Sequence, residues 1–312
     1  MLDCTCANCD TSITTRVYEP WLRNSIAPAS PQSDAAPKRA PAASAHTEVP
    51  KQQGPLIAQR FRLMHQLGRG RSGTVYCAEQ SSLGRMCAIK LIAAWQEGSN
   101  SQLVDRFFQA TSLTSRLTSQ HTVRIFDFGR AETGQPYIVM ELIDGRTLAE
   151  IIEQDGALSE RRTLRITYQI CKSLREAHAL KLTHGDLTET NVMIADLPDT
   201  PDFVKVMDFA VGGTMTDESS SADEKSDIRA LGVLMVRMLA GKTADDETDD
   251  LRTLSSLRKA GKVSKPLAAI IRRCLEIRTN NIQGSVQDLM LALRGSVSVR
   301  SRRPSWVPTL TG

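Results

Sequence analysis

The sequence predicts an α+β fold in which strands come first along the chain and helices follow. Three observations support this prediction. β-branched and aromatic runs flank a glycine-rich turn between residues 61 and 92, which is the pattern of a hairpin continued by a third strand. From residue 158 onward, apolar residues recur at helical spacing instead. After this first helix comes a polar loop, residues 184–191, and then a strand-like run that ends at Asp208.

Length and composition limit what this chain can be. Its 312 residues, of which 41% are apolar and 24% charged, suffice for one ordinary domain with tails but not for a second enzyme. The formal charge of +4 is small, and the basic residues look dispersed along the chain, so no nucleic-acid partner is expected. No apolar run approaches the roughly 20 residues that span a bilayer. We therefore expect no membrane contact and a cytoplasmic location.

The cysteines fall into two groups. Four of them occur singly in apolar segments, which indicates reduced and buried thiols; these are Cys77, Cys87, Cys171 and Cys274. The other three, Cys4, Cys6 and Cys9, form a compact cluster in an N-terminal segment, residues 1–23. This cluster could hold zinc if a fourth ligand such as His46 came near. The alternative is an unstructured terminus, because closed zinc sites usually contain two ligand pairs.

Two segments that flank the predicted domain lack the residues needed for a core. Residues 24–56 are rich in Ala, Pro, Ser and Gln and read as a disordered linker. Residues 295–312 are predicted to be a basic, disordered tail, although the arginines before Ser305 could also mark a phosphorylation site or a mimic of one. The folded domain is therefore predicted over residues 57–294.

The first predicted hairpin carries a GxGxxG sequence in its turn. Strands over residues 61–67 and 74–78 enclose this turn, in which the candidate phosphate-binding residues are Gly68, Arg69, Gly70 and Gly73. A backbone without Cβ atoms can fold tightly over phosphates and present its N–H groups to them. A plain glycine-rich hairpin is the alternative. A dinucleotide-binding turn is not favoured, because it would lead from a strand into a helix.

The third strand, residues 86–92, contains a lysine among apolar neighbours. Lys90 follows Ala88 and Ile89 and precedes Leu91. An isolated lysine on a strand is usually a solvated edge charge. A cation that emerges from an apolar wall can instead neutralise the phosphates of a nucleotide, and we therefore predict that Lys90 anchors phosphate.

The polar loop supplies a carboxylate and an amide, Asp186 and Asn191, five positions apart. A second carboxylate, Asp208, follows the strand-like run 203–207. Taken alone, each of these residues would more often belong to a turn or cap a helix than bind a ligand. They occur in this order after the glycine turn and Lys90. Such a set could accept a proton from a hydroxyl group and hold Mg²⁺ on the phosphates of a nucleotide.

Together these motifs give the chain, from Phe61 to about Arg294, a resemblance to bacterial, eukaryotic-like (Hanks-type) Ser/Thr protein kinases. The resemblance implies a two-lobed fold with a small β-rich lobe carrying one helix, residues 57–140, a hinge, and a larger helical lobe, residues 144–294. It also implies that ATP and Mg²⁺ bind in the cleft between the lobes. Lys90 and Asp186 would then be catalytic, and Asn191 and Asp208 would hold the metal.

The same resemblance assigns the residues around the adenine base. Met140 would be the gatekeeper, and Glu141 and Ile143 would belong to the hinge segment whose backbone bonds the base. Val75 and Ala88 would lie above the base and Met193 below it. Simple core packing is the alternative explanation for these apolar residues.

The later helices also match the family. Residues 158–180 would lead into the catalytic loop, and residues 226–239 would form the long buried helix of the large lobe. In this family the aspartate that corresponds to Asp227 bonds the catalytic-loop backbone, so a structural role is expected for it. Residues 266–277 and 286–293 resemble the last helices.

Several departures from the family pattern concern regulation and peptide binding. Ala110 stands where a glutamate normally pairs with Lys90, so Lys90 is expected to contact Asp208 or Gln109 instead. In the catalytic loop, Gly185 and Thr188 replace an arginine and a lysine of the family pattern.

The segment between Asp208 and Asp227 is shortened to fewer than twenty residues. From the resemblance and these departures together, we expect a divergent kinase that transfers the γ-phosphate of ATP to Ser or Thr of an unidentified protein substrate. The alternative is a pseudokinase, a nucleotide-binding module that regulates a partner.

Overall fold

In the computed structural model, the described residues are 4–5, 12–13, 54–70, 72–93, 101–197, 200–209, 223–241, 249–277 and 284–298. The chain divides into two compact units, residues 1–51 and 52–312. In the first unit, strands β1 (Cys4–Thr5) and β2 (Ser12–Ile13) pair antiparallel. Cys6, Cys9 and His46 of the predicted zinc cluster lie outside the described residues.

A six-stranded antiparallel sheet forms the small lobe at the start of the second unit. Its strands lie in the order β3-β4-β5-β6-β8-β7; they are β3 (Leu56–Ile57), β4 (Phe61–Gly70), β5 (Gly73–Gln80), β6 (Arg85–Ile92), β7 (Ile125–Arg130) and β8 (Pro136–Met140). Helix α1 (Ser101–Thr114) connects β6 to β7 and packs its buried Phe107 against Ile92 and Ile138. The predicted small lobe of strands with one helix is confirmed.

The large lobe is mainly helical. Its described helices are α2 (Leu148–Asp155), α3 (Glu160–Ala179), α4 (Glu224–Ala240), α5 (Asp250–Lys259), α6 (Lys265–Leu275) and α7 (Val286–Ser298). A three-stranded sheet, β9 (Arg146–Thr147), β10 (Val192–Leu197) and β11 (Thr200–Val206), precedes α4 in the chain. Buried aliphatic residues such as Leu174, Leu231 and Ile271 hold these elements together in one core. The two-lobed α+β fold agrees with the prediction.

Local sequence rules explain where most of these helices begin. Each start carries a side-chain oxygen that accepts a hydrogen bond from an N–H of the first turn; the capping residues are Thr147, Ser159, Asp223, Asp249 and Ser264. α2 and α5 were not predicted individually, because helices of only eight and ten residues give few repeats of the apolar pattern. Their caps were the available signal.

Two predicted boundaries differ from the structure. Leu56 belongs to β3, and the N–H of Leu63 donates to the carbonyl of Pro55, so the fold begins inside the predicted linker. α7 continues to Ser298, past the predicted end at residue 294. Gly295 lies inside this helix, where a glycine costs only about 1 kcal/mol. The remaining tail, residues 299–312, lies outside the described residues.

The loop 117–123 fastens the small lobe to the large lobe. Val123 donates its N–H to Val206 at the end of β11, and His121 accepts from the N–H of Val206 through its carbonyl. Glu176 on α3 accepts hydrogen bonds from the backbone and hydroxyl of Thr118 and from the N–H of Ser119. These bonds fix the position of the lobes relative to each other on this side.

The described cysteines and helices bear on two earlier expectations. Cys77, Cys87, Cys171 and Cys274 are free and buried, as predicted. Burial raises the pKa of the Cys274 thiol to about 12, so this thiol is unreactive at neutral pH. None of the described helices has both the length and the apolar character needed to cross a bilayer.

Candidate active site

Lys90 lies in the middle of the small-lobe sheet. On β6 it is opposite Val75 of β5 and Ile138 of β8, and it is only 2% exposed. Its Nζ donates to Oδ2 of Asp208 at 2.6 Å. A buried cation needs such a partner, because desolvation of an unpaired charge costs several kcal/mol. Of the two partners that the sequence suggested, Asp208 is the one observed, while Gln109 is exposed.

Asp208 has an unusual backbone conformation. Its φ is +66°, in the left-handed region that residues other than glycine rarely adopt. Strain of this kind persists only where the surroundings impose it, and it occurs often at functional sites. The next residue, Phe209, is buried and packs against the ring of His184 with 4.7 Å between the ring centroids. The Lys90 contact and this packing together fix the carboxylate of Asp208.

Hydrogen bonds join the polar loop to the end of β11. The amide Nδ2 of Asn191 donates to the carbonyl of Asp186 at 2.8 Å. The N–H of Met207 donates to the carbonyl of Asn191 at 3.0 Å. Because the amide nitrogen of Asn191 is used within the loop, its Oδ1 is the atom suited to a metal. Asp186, Asn191 and Asp208 are thus held by one connected set of bonds.

His184 is a neutral histidine at the centre of this set. Its Nε2 contacts the carbonyl of Met207 at 2.9 Å, and its Nδ1 lies 3.3 Å from the N–H of Asp186. Nε2 must therefore donate while Nδ1 accepts, which is the pattern of an uncharged imidazole. Burial lowers the pKa of His184, although the nearby carboxylate of Asp227 opposes this shift. The loop backbone therefore depends on an uncharged His184.

Asp227, in the first turn of α4, holds the catalytic-loop backbone. It accepts from the N–H groups of His184 at 2.9 Å and Gly185 at 3.0 Å, and from Nε2 of His178 at 2.8 Å. Burial alone would raise the pKa of Asp227, but the hydrogen bonds from His178 and the loop lower it overall. Gly185 has a φ of +75°, which a glycine adopts without strain. The predicted structural contact of Asp227 is confirmed.

The glycine-rich turn joins β4 to β5 as predicted, with Gly70 opposite Gly73. At Gly73, with φ of +155°, a Cβ would lie 2.1 Å from the carbonyl oxygen of Leu91, so the fold itself requires glycine there. A Cβ at Gly68 or Gly70 would meet no atom within 4 Å. Packing within the protein therefore does not explain these two glycines. Arg69 beside them is exposed.

Most of the residues predicted to surround the adenine lie together. Ala88 and Met140 are buried with Val123, and the partly buried side chains of Val75, Ile143 and Met207 pack against them. Met193 is not in this cluster; it is half-buried on β10 opposite Thr147 and Lys205. Val123 and Met207 also belong to this cluster and were not predicted from the sequence. The position of Met207 directly before Asp208 was a usable signal, whereas nothing local marked Val123.

Glu141, predicted as a hinge residue, uses its side chain to support the fold. Its Oε1 accepts from Nζ of Lys205 at 2.5 Å and from the N–H of Arg124 at 2.7 Å. Its own N–H donates to the carbonyl of Arg124. The hinge is thus attached to β11 and to the loop before β7.

A cavity lies next to Met140, on the side of α1. It is partly open to solvent and is lined by Thr114, Val123, Ile125, Ile138, Met140, Val206, Met207, Asp208 and Phe209. Thr114, in the last turn of α1, contributes a short side chain to the lining, and its hydroxyl donates to the carbonyl of Ala110.

Comparison with known proteins places this geometry in context. Residues 61–224 match the family described as "Protein kinase domain". The chain is 31% identical over 213 residues to the serine/threonine-protein kinase pkn3 of Myxococcus xanthus, covering 60% of this chain and 39% of that protein. It is 28% identical over 214 residues to the serine/threonine-protein kinase PrkC of Bacillus subtilis, covering 62% of this chain and 32% of that protein. The match therefore spans well under half of the length of either relative.

A solved structure shows the same fold. The kinase domain of Mycobacterium tuberculosis PknI, as a double mutant, superposes with a TM-score of 0.65 at 21% sequence identity, covering 78% of this chain and 98% of that one. The region that matches the protein kinase family, residues 61–224, includes the glycine turn, Lys90, the catalytic loop and Asp208. The chain therefore belongs to the protein kinase family, and the relatives it matches are bacterial Ser/Thr protein kinases.

Proposed function

We propose that this protein binds ATP with Mg²⁺ and transfers the γ-phosphate to a Ser or Thr hydroxyl of a protein. The observation that carries this proposal is the contact between Lys90 and Asp208 beside the loop that holds Asp186 and Asn191. These groups come from both lobes, yet they meet in one place. A cation, two carboxylates and an amide are the set that phosphoryl transfer from a nucleotide needs.

The site is suited to a nucleotide in three respects. Lys90 supplies a fixed positive charge for the phosphates. The open space at Gly68 and Gly70 allows phosphates to approach backbone N–H groups. The apolar cluster around Met140 offers a surface on which a flat base can pack.

The metal would bind between the loop and the end of β11. Oδ1 of Asn191 and the carboxylate of Asp208 are oxygen ligands, which Mg²⁺ prefers. When bound, the ion neutralises negative charge on the phosphates. Asp208 would then exchange part of its contact with Lys90 for contact with the metal. The left-handed backbone of Asp208 holds the carboxylate in place for this exchange.

Asp186 would accept the proton of the substrate hydroxyl. In the reaction, the hydroxyl oxygen forms a bond to the γ-phosphorus and the bond from that phosphorus to the bridging oxygen of ADP breaks. The proton released by the hydroxyl passes to the carboxylate of Asp186. Two hydrogen bonds support the loop that carries this carboxylate: Asn191 donates to the carbonyl of Asp186, and Asp227 accepts from the N–H of Gly185.

A second candidate function is a nucleotide-binding module that regulates a partner without transfer. Two observations favour it. Thr188 stands where the family pattern has a lysine that contacts the transferred group, and fewer than twenty residues separate Asp208 from Asp227. Loss of one charge that stabilises a transition state can cost several kcal/mol. Retention of Asp186 in an ordered loop favours the enzyme.

Phosphate transfer and nucleotide binding can be separated with three variants. Labelled ATP is incubated with a generic Ser/Thr-containing protein, and unfolding is followed with and without ATP and Mg²⁺. Asp186→Asn should lose transfer by about 100-fold or more and keep nucleotide-induced stabilisation. Asp208→Asn should lose both, while Asp105→Asn, an exposed control on α1, should lose neither.

The outcomes distinguish the two functions. Stabilisation by nucleotide without transfer in the wild type would favour the regulatory module. If nucleotide did not stabilise the wild type and the wild type transferred no phosphate, both functions would be refuted. The ligand-free melting temperature of Asp208→Asn must be measured as well, because this substitution also removes the charged partner of Lys90. The cytoplasmic location stays a prediction from the sequence.

A further inference from the structure

A concentrated basic surface lies on the large lobe, away from the residues discussed so far. From Leu251 to Leu275 the chain contains no aspartate or glutamate and seven lysines and arginines. Four of these, within eight consecutive positions, form what we name the basic turn: Arg258, Lys259, Lys262 and Lys265. The expectation that basic residues are dispersed along the chain was wrong for this segment.

The residues of the basic turn have no ion-pair partner among the described residues. Lys259, Lys262 and Lys265 are exposed, and Arg258 is half-buried. By contrast, Arg252 pairs with Asp249 at 3.1 Å and Arg272 lies 3.9 Å from Glu276. Glu160 is close to the turn, but its two carboxylate oxygens accept from the N–H and hydroxyl of Ser264. The positive charge of the turn is therefore presented to solvent.

Helix stability explains only part of this arrangement. Arg258 and Lys259 lie in the last turn of α5, where a cation interacts favourably with the helix dipole. Lys265 is in the first turn of α6, where a cation is unfavourable and a carboxylate would be preferred. α6 has no acidic residue in that turn. Lys262 follows α5, and its N–H donates to the carbonyl of Leu257 in the last turn of that helix. Lys265 is therefore the cation that helix electrostatics leaves unexplained.

The chemistry of the surface favours an acidic peptide over a membrane or a nucleic acid. None of the large exposed apolar side chains of the described chain lies between residues 249 and 277, so this surface has no anchor for a bilayer. Residues 251–275 also contain no aromatic, Asn, Gln or His side chain that could stack on or read bases. Three of the four cations of the basic turn are flexible lysines, which suit carboxylates spread along an extended chain.

The basic turn belongs to the same helical block as the catalytic loop. α5 and α6 both pack on α4, and α4 carries Asp227, which holds the loop backbone. Farther along α4, Nη1 of Arg237 donates to Oε2 of the buried Glu189 in that loop at 2.6 Å. A protein bound at the basic turn would thus be fixed relative to Asp186. This matters because the segment that normally docks peptides in the family is short here.

We propose that the basic turn docks an acidic segment of the protein substrate and so takes over part of the work of the short segment between Asp208 and Asp227. This inference rests on the proposed kinase function. The acceptor Ser or Thr would lie on the same substrate chain as the acidic segment. It would be far enough along that chain to reach Asp186 while the acidic segment is bound.

Binding of an acidic peptide to the full chain tests this proposal without requiring catalysis. The probe is a fluorescent poly-glutamate peptide containing one serine, and its affinity is measured by anisotropy at several salt concentrations. The charge-reversal variant is Lys262→Glu with Lys265→Glu. The matched control is Arg116→Glu with Lys181→Glu, which reverses two exposed cations and changes the net charge equally. Lys181 lies just past the end of α3 that is opposite Glu160.

We expect the variant at the basic turn to bind the peptide about tenfold more weakly or worse, and the control to stay within about twofold of the wild type. Wild-type affinity should fall as salt is added. Because Lys265→Glu places a carboxylate in the first turn of α6, this variant should fold at least as well as the wild type. Equal affinities for all three proteins would overturn the proposal.

Two further measurements separate this proposal from its alternatives. Tighter binding of a DNA oligonucleotide or of phosphatidylserine vesicles than of the peptide would also overturn it. If the wild type transfers phosphate, the variant should show a raised KM for the acidic serine peptide and an unchanged KM for a neutral one. If the peptide binds through the basic turn but the protein transfers no phosphate, the proposed kinase reaction is refuted. The docking surface is retained in that case.

Discussion

At the scale of single residues, one buried cation organises the site. Lys90 has no glutamate on α1 to pair with, because Ala110 occupies the corresponding position, and it contacts Asp208 instead. The lysine therefore holds the carboxylate that is expected to bind Mg²⁺. Under the proposed function, this contact would couple nucleotide binding to the conformation of Asp208, since the phosphates and Asp208 would compete for one ammonium group.

Substitution of Lys90 tests this coupling. Lys90→Met should abolish nucleotide-induced stabilisation and reduce phosphate transfer by about 100-fold or more, because the only buried cation described at the site is lost. Thermal unfolding with and without ATP and Mg²⁺ gives the first readout. Lys181→Met, which removes a lysine whose side chain is 89% exposed, is the control. Full stabilisation of Lys90→Met by nucleotide would contradict the assignment of Lys90 to the phosphates.

At the scale of elements, two helical glycines show how packing decides the effect of a substitution. Gly232 on α4 faces α6, and a Cβ there would lie 2.9 Å from Cβ of Cys274 and 3.2 Å from the side chain of Leu275. Gly295 on α7 has open space around it. Both residues carry the same penalty for glycine in a helix, so any difference in response comes from their surroundings.

The same substitution should therefore have opposite effects at these two positions. Gly232→Ala should lower the free energy of unfolding by about 1–3 kcal/mol, because α4 and α6 must move apart. Gly295→Ala should raise it by about 0.5–1 kcal/mol through helix propensity alone. Urea unfolding of the two variants measures both values. A loss of similar size at both positions would show that the close approach of α4 and α6 is incorrect.

The cavity beside α1 gives a second prediction at this scale. Thr114→Leu should place additional apolar atoms in the cavity and raise the free energy of unfolding by about 1 kcal/mol. Ser112→Leu, on an exposed face of the same helix, adds apolar atoms outside the cavity and should give no gain. Thermal unfolding compares them. Destabilisation by Thr114→Leu alone would mean that the cavity cannot accept a branched side chain.

At the scale of the whole molecule, two buried histidines link stability to pH. His184 supports the catalytic loop, and His121 joins the loop 117–123 to β11 through a contact of Nδ1 with the carbonyl of Val204 at 3.1 Å. Burial lowers the pKa of both residues in the folded state. In the unfolded chain a histidine has a pKa of about 6.5. Acid therefore protonates the unfolded chain first.

Stability should accordingly be greatest above about pH 6.5 and decline as pH falls below it. Each histidine should contribute a slope of up to about 1.4 kcal/mol per pH unit. His121→Asn keeps a donor for the carbonyl of Val204 and cannot titrate, so its slope should be smaller by up to one proton. Urea unfolding at a series of pH values measures these slopes. An unchanged slope in His121→Asn would refute the assignment of His121.

The sequence by itself determined the fold class and the order of the chemical groups. The strands around the glycine turn, the helix before the loop and the residues Lys90, Asp186, Asn191 and Asp208 were all predictable. Their signals are local, since alternation, helical spacing and short motifs are properties of neighbouring residues. The membership of the protein kinase family followed from the same motifs.

Only the tertiary structure decided which of these groups touch. Lys90 and Asp208 are 118 positions apart in the chain, and the choice of Asp208 over Gln109 depends on how the lobes meet. The same holds for the place of Val123 and Met207 in the apolar cluster and for the exclusion of Met193 from it. Contacts between distant segments depend on packing and desolvation, which sum over the whole molecule, and no local pattern of residues encodes them.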